Sequence, residues 1–360
     1  MLSYALALLA SAVGTLISCG LNETTRFPFR FTTIKRHFCH VYTPVEGRFH
    51  SNTLVVFIHG GGWHAGAIDP GRGTVSYDTV GRALSSRGYS VALVSYPKCQ
   101  SSTTVAACVY ALITLASILA CVLLCTLGVH RVLCCAVCAI LCAVACSMVR
   151  ARVLGGSHST PGTSARLQID AVGEALDALA EKFPGMPMLL VGHSAGGHLA
   201  CMHVFEAAQR GDAARTARIC GIVCASGVFD VSGMYNAAPW PLSFALREIF
   251  VRAPFPCRDD ETRLSPHASV RACTGHTRHI KWHIASAFLD MPSLVGQADA
   301  FHARLLAHGH ASTRTYNIGF GHGLGMVYSF GLWEIVEEFI NGCETPRSFG
   351  RAKQAVRTPI

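Results

Sequence analysis

A chain of 360 residues with a formal charge of +9 at pH 7 has room for one folded domain of about 250 to 300 residues and additional segments. Its residues are 51% hydrophobic and only 14% charged, where a soluble domain carries about 25% charged. That excludes a disordered chain, which lacks the apolar residues needed to offset chain entropy. The Lys and Arg residues are scattered without a basic run, which argues against a nucleic-acid partner.

The surplus of apolar residues falls in two places. Met1 to Cys19 carries no charge, is about as long as one bilayer-spanning helix and lacks the positive n-region of a cleaved signal. Residues 1–20 are therefore expected to be a membrane anchor, with a cleaved signal as the alternative. Thr104 to Val129 is also uncharged, His130 and Arg131 interrupt it, and Val132 to Val149 continues it. Such a block reads as a transmembrane hairpin over 104–149. Eight of the 17 cysteines fall in this region. They lack disulfide spacing, and Cys134, Cys135 and Cys138 have no His or acidic neighbours for a metal site. Arg26, Arg30, Lys35, Arg36, Lys98, Arg150 and Arg152 all flank the apolar segments on one side. The positive-inside tendency puts that side, with the rest of the chain, in the cytosol. The expectation is thus an integral membrane protein of an endomembrane such as the endoplasmic reticulum, in contact with membrane lipids. Residues 346–360 read as a basic tail.

Outside these segments the pattern alternates strands and helices. Leu54 to Ile58, Val91 to Val94, Met188 to Val191 and Ile219 to Val223 are short apolar runs, whereas Thr74 to Arg87, Ser164 to Phe183 and Gly197 to Gln209 have helical spacing. Such alternation implies a mostly parallel sheet with crossover helices. The catalytic domain then covers 21–345, with 104–149 inserted between a strand and the helix that follows it.

Two motifs carry chemistry. Met188 to Val191 leads into Gly192-His193-Ser194-Ala195-Gly196 and a helix, the strand, G-x-S-x-G and helix order of a nucleophile elbow. The glycines allow a sharp turn that presents the Ser194 hydroxyl, and the helix N-terminus favours developing negative charge. His59-Gly60-Gly61-Gly62-Trp63 follows the strand Leu54 to Ile58. Glycines there let backbone amides approach an oxyanion, which assigns Gly61, Gly62 and Ala195 as donors. Trp63 is expected to line an apolar substrate pocket, or else to be a core tryptophan.

With these motifs the chain, from about Leu54 to Ile340, resembles the H-G-G-G esterase branch of the α/β-hydrolases. Within it the chain most resembles the prenylcysteine methylesterase and kynurenine formamidase group. Val91 to Pro97, Ile169-Asp170-Ala171, Ala225 to Asp230 and Leu264-Ser265-Pro266 match that group's signposts. The resemblance implies an α/β-hydrolase fold, a serine hydrolase acting on a carboxylic ester such as a prenylcysteine methyl ester, and no metal or organic cofactor. An amidase or formamidase, or a non-catalytic membrane scaffold, is the alternative. In this fold the acid and then the histidine follow the serine. His322, between a strand-like run and the closing helix Leu332 to Ile340, is expected to be the general base. For the acid, Asp290 keeps the family's spacing to Gln297 and Phe301, but Ala287 replaces a glycine and Ser293-Leu294 replaces a V-P. Asp299, in Gly296-Gln297-Ala298-Asp299, competes with it. Asp230 and Asp259 read as a loop cap and a surface charge, and His193 and His198 as packing residues beside the elbow.

Overall fold

The computed structural model describes residues 29–34, 39–44, 51–66, 68, 77–100, 161–240, 242–272, 275–316, 318–319, 321–323, 327 and 330–344. The expected anchor (1–20), the expected hairpin (104–149) and the basic tail (346–360) lie outside them. Among the described residues, no helix is long and apolar enough to cross a membrane.

Eight strands form one sheet: β1 (Phe29–Ile34), β2 (Cys39–Pro44), β3 (Leu54–Ile58), β4 (Ser90–Val94), β5 (Met188–His193), β6 (Ile219–Ala225), β7 (Lys281–Ala285) and β8 (Ser312–Thr315). Their spatial order is β1-β2-β4-β3-β5-β6-β7-β8. β1 pairs antiparallel with β2, and β2 with β4; every other pairing is parallel. The central strands β3, β4 and β5 are buried along their whole length, which accounts for their unbroken apolar composition, since a parallel strand is covered on both faces.

Alternate residues of each strand feed two cores. Leu54, Val56, Ile58 and Leu190 point to one side, where they meet α2 (Ala165–Lys182), α3 (Ala195–Gln209) and α4 (Pro292–Ala307). Val55, Phe57, Leu189 and Val191 point to the other side and meet α1 (Asp78–Ser85) and α5 (Phe330–Glu344). Each such buried side chain contributes about 1.5 to 3 kcal/mol. Helix α3 is buried from Ala195 through Ala208, so the element that follows the serine lies deep in the molecule.

The helix expected from Phe301 to His308 begins nine residues earlier, at Pro292. A proline at the first helical position is preorganised there and loses no hydrogen bond. That start places Asp299 in mid-helix and Asp290 in the loop after β7. Between β6 and β7 a set of short helical turns, Gly233–Asn236, Leu242–Leu246, the π-helical Arg247–Val251 and Arg258–Arg263, forms a cap.

Candidate active site

Parallel strands that end together bring their following loops together, and the loops after β3, β5, β6 and β7 meet here. Ser194 follows β5 and caps the N-terminus of α3 with φ 53° and ψ −119°. A non-glycine residue in that region is costly and persists only where its surroundings over-determine it. They do so here. A Cβ on Gly196 would lie 2.0 Å from the Ile58 carbonyl oxygen, and one on Gly192 would lie 2.5 Å from Gly197 Cα. Only glycine at both positions lets helix, strand and elbow approach this closely.

The structure brings Ser194, His322 and Asp290 together from 128 and 32 residues apart in sequence. Ser194 Oγ lies 2.9 Å from His322 Nε2, and His322 Nδ1 lies 2.7 Å from Asp290 Oδ1. Asp290 Oδ1 also accepts the Met291 amide at 2.8 Å, while Oδ2 accepts the Ser226 hydroxyl at 2.5 Å and the Ala287 amide at 3.2 Å. Burial works to raise the pKa of Asp290, but the His322 charge and hydrogen bond, the Ser226 hydroxyl and the Met291 amide together hold it below the usual carboxylate value. A buried carboxylate with four donors stays ionised.

Asp299 is placed differently. It is exposed on α4, where it meets Arg314 Nε at 2.9 Å and the Tyr316 hydroxyl at 2.9 Å. It faces its own sheet edge and takes no part in the cluster. Asp230 accepts from the Ser232 hydroxyl and the Gly233 amide, the capping arrangement its position suggested.

His193, read from sequence as packing, ties the serine's strand to the base's loop. Its Nε2 lies 2.7 Å from the His322 carbonyl oxygen, and its Nδ1 lies 3.1 Å from the Tyr77 hydroxyl. Since a carbonyl only accepts, Nε2 carries the proton and Nδ1 accepts from tyrosine. Burial first, and then the nearby His322, lowers the His193 pKa to about 3, so the ring is neutral and this tautomer is fixed. The His322 loop is further held by the Leu289–Gly321 bridge and by the Phe288 amide on the Gly319 carbonyl at 3.0 Å.

On the other side of Ser194 lies the glycine loop after β3. A Cβ on Gly60 would be 3.1 Å from Ser194 Cβ, so the loop runs directly against the serine. Gly61 and Gly62 have φ of 122° and 59°, conformations glycine adopts at no steric cost. Ala195 is the first residue of α3. Among the described residues, the amides of Gly61, Gly62 and Ala195 donate no backbone–backbone hydrogen bond, so these three N–H groups are open to a ligand. His59 donates from Nδ1 to Gly60 O at 2.6 Å and stacks on Tyr96, whose hydroxyl donates to His59 O at 2.9 Å. Burial, with Lys98 adding to it, lowers the His59 pKa to about 3.

Trp63 requires a correction. Expected against the substrate, it is 0% exposed, packed edge-on against His198 and Phe255, with its indole N–H on His198 Nδ1 at 3.3 Å. His198 passes the chain on from Nε2 to the Leu264 carbonyl at 2.7 Å. The indole is thus consumed as a core strut. The Trp63 carbonyl is equally engaged: the Cys99 amide at 3.0 Å and the Gln168 side-chain amide at 2.8 Å both end on it, which fixes the glycine loop from behind.

The residue that does lie against the glycine loop is Phe250. Its ring would come within 2.9 Å of a Cβ on Gly62. It stands on the π-helical turn of the cap, a local geometry that recurs at functional sites. Nothing in the sequence marked it, because a π-turn has no composition signal of its own. Among the described residues, no group of three or more His, Cys, Asp or Glu residues could hold a metal.

No protein-family model and no curated protein matches the sequence. Solved structures do. Esterase B from Lactobacillus rhamnosis is similar with a TM-score of 0.56 at 15% identity, over 94% of this chain and 95% of that one. The thermostable carboxylesterase EstE1, cloned from a metagenomic library, has a TM-score of 0.55 at 15% identity over 93% and 94%. Carboxyl esterase 2 from the mycorrhizal fungus Tuber melanosporum has a TM-score of 0.52 at 14% identity over 89% and 86%. At these identities the likeness establishes architecture, and the chain has the α/β-hydrolase fold.

Proposed function

We propose that this protein is a serine hydrolase of carboxylic esters, with Ser194 as nucleophile, His322 as general base and Asp290 as the acid that orients it. The observation that carries the reading is the continuous line from Ser194 Oγ through His322 to Asp290, 2.9 and 2.7 Å long, on an elbow with φ 53°. His322 Nε2 takes the hydroxyl proton as Oγ attacks the ester carbonyl; Asp290 holds the tautomer and stabilises the imidazolium. The amides of Gly61, Gly62 and Ala195 receive the oxyanion, each contributing about 3 kcal/mol. His322 returns the proton to the leaving alcohol, and water repeats the sequence on the acyl-enzyme.

The finer reading is a lipidic ester, such as a prenylcysteine methyl ester, taken from a membrane. It draws on the sequence resemblance and on the apolar segments 1–20 and 104–149, with the catalytic domain on the cytosolic side. A formamidase would share the site and gain no advantage from such segments. A non-catalytic scaffold has no need of a buried, ionised Asp290 aligned on a histidine.

The test uses detergent-solubilised protein, a p-nitrophenyl ester series and a fluorophosphonate probe. The expected result is ester hydrolysis and covalent labelling, both abolished by Ser194→Ala. A folded protein that neither labels nor hydrolyses any ester overturns the reading.

A further inference from the structure

The cap displays two large apolar side chains in water. Trp240 is 82% exposed and Phe244 is 59% exposed. They precede the π-helical turn whose Phe250 ring lies against Gly62, so they stand on the segment that borders the mouth of the site. A cluster of exposed aromatic residues at a mouth marks a contact surface, and tryptophan in particular favours the boundary between lipid head groups and acyl chains.

What covers this surface follows from where the chain leaves and re-enters the domain. In sequence the apolar block 104–149 lies between the described residues Cys99 and Ala165. His64 joins the departure point to the cap, with Nδ1 3.0 Å from the Cys99 carbonyl and Nε2 3.4 Å from the Phe250 carbonyl. The Ala165 amide donates to the Pro254 carbonyl at 2.8 Å, joining the return point to the far end of the same cap segment. Leu167, in the first turn of α2, is exposed. The described residues on either side of the most apolar part of the sequence, Cys99 and Ala165, are therefore both tied to the cap segment that follows the exposed aromatics. A chain that enters a bilayer from these flanks starts beside the cap segment that follows the exposed aromatics.

We propose that Trp240 and Phe244 form a lipid-contact face that seats the mouth of the site on a phospholipid bilayer, so that an amphiphilic ester passes from the membrane to Ser194 without crossing water. This rests on the hydrolase reading above for its substrate, but the contact itself can be measured without catalysis. The occupant is lipid; a second copy of the chain or another protein is the competing outcome.

Fluorescence decides it, because the other three tryptophans, Trp63, Trp282 and Trp333, are all buried. The full chain is reconstituted into phosphatidylcholine vesicles brominated on the upper acyl chain. The expected result is quenching of an exposed tryptophan component, with that component absent in Trp240→Phe. Trp240 that stays open to aqueous acrylamide and unquenched by bromine overturns the proposal. So does shielding from acrylamide without bromine quenching, which would assign the face to protein. A rate measurement adds the functional arm: Trp240→Ser/Phe244→Ser should lower kcat/KM about tenfold on a vesicle-borne ester and leave a soluble p-nitrophenyl acetate unaffected. Equal loss on both substrates overturns the interfacial role. If wild type hydrolyses neither, the hydrolase reading fails, while quenching still decides the surface.

Discussion

Ser226 donates its hydroxyl to Asp290 Oδ2 at 2.5 Å, on the carboxylate oxygen opposite the one that faces His322. It does so from a left-handed backbone conformation, φ 50°, one residue past the end of β6. A hydrogen bond to a buried charge contributes about 1.5 to 3 kcal/mol. Ser226→Ala should therefore lower kcat/KM about tenfold with little change in KM, as the carboxylate loses one of the bonds that hold it. The pKa of Asp290 is depressed in the folded state, so its stabilising contribution is present at neutral pH and lost as pH falls through the folded pKa. The difference in Tm between wild type and Ser226→Ala should be full at pH 7 and narrow below about pH 4. Thermal melts across that range check it.

Asp290→Asn should reduce kcat by about 10⁴-fold, because an amide favours the wrong imidazole tautomer. Asp299→Asn should leave activity near wild type. Its ion pair with Arg314 is exposed on the aspartate side, and such pairs contribute at most about 1 kcal/mol. Steady-state kinetics of the two variants side by side separates the two aspartates.

His193→Asn removes the N–H that holds the His322 carbonyl from the serine's own strand. Turnover should fall about tenfold at nearly constant KM, and fluorophosphonate labelling should slow in proportion. Tyr77→Phe leaves His193 Nδ1 buried without its donor, at a cost of about 1 to 3 kcal/mol, and should lower Tm more than it lowers turnover. Rates normalised to the labelled fraction distinguish misalignment from loss of folded protein.

Burial lowers the pKa of His193 and His59 to about 3 and that of His198 and His203 to about 4. Unfolded histidines titrate near 6.5, so below that pH the unfolded chain binds protons that the folded chain refuses. Stability should be full above about pH 6.5 and fall steeply as pH drops towards 5, at roughly 2 kcal/mol per such histidine. Melts in matched buffers at pH 7.5 and 5.0 test this; an unchanged Tm would mean these rings accept protons in place.

Much of this site is local in the chain and so was legible there. G-x-S-x-G after a strand and H-G-G-G after another specify backbone shapes that only particular residues allow, and Gly192, Gly196, Gly61 and Gly62 meet those demands sterically. The sheet's central strands showed as apolar runs because both faces are buried. The acid was harder, since Asp290 sits in a loop whose usual glycine is Ala287. Asp299 looked competitive until the helix was seen to start at Pro292. Ser226, His193 and Tyr77 act across separations of 64, 129 and 116 residues. Those contacts follow from strand register, which no local pattern encodes. Trp63 stayed open between pocket and core for a related reason: a tryptophan beside a glycine loop is compatible with either, and the placement of His198 and Phe255 around it decides for the core.

The Trp63 carbonyl, clasped at once by Cys99 and Gln168, bears on how such a chain can diversify. Those two residues lie on either side of the long apolar block in sequence, so the described fold joins its flanks at one carbonyl. Chain-closure cost grows only logarithmically with length, about 0.6 kcal/mol per doubling. A lineage can lengthen or shorten the stretch between such flanks while the α/β-hydrolase fold that joins them stays as it is. The folded unit is in this sense portable.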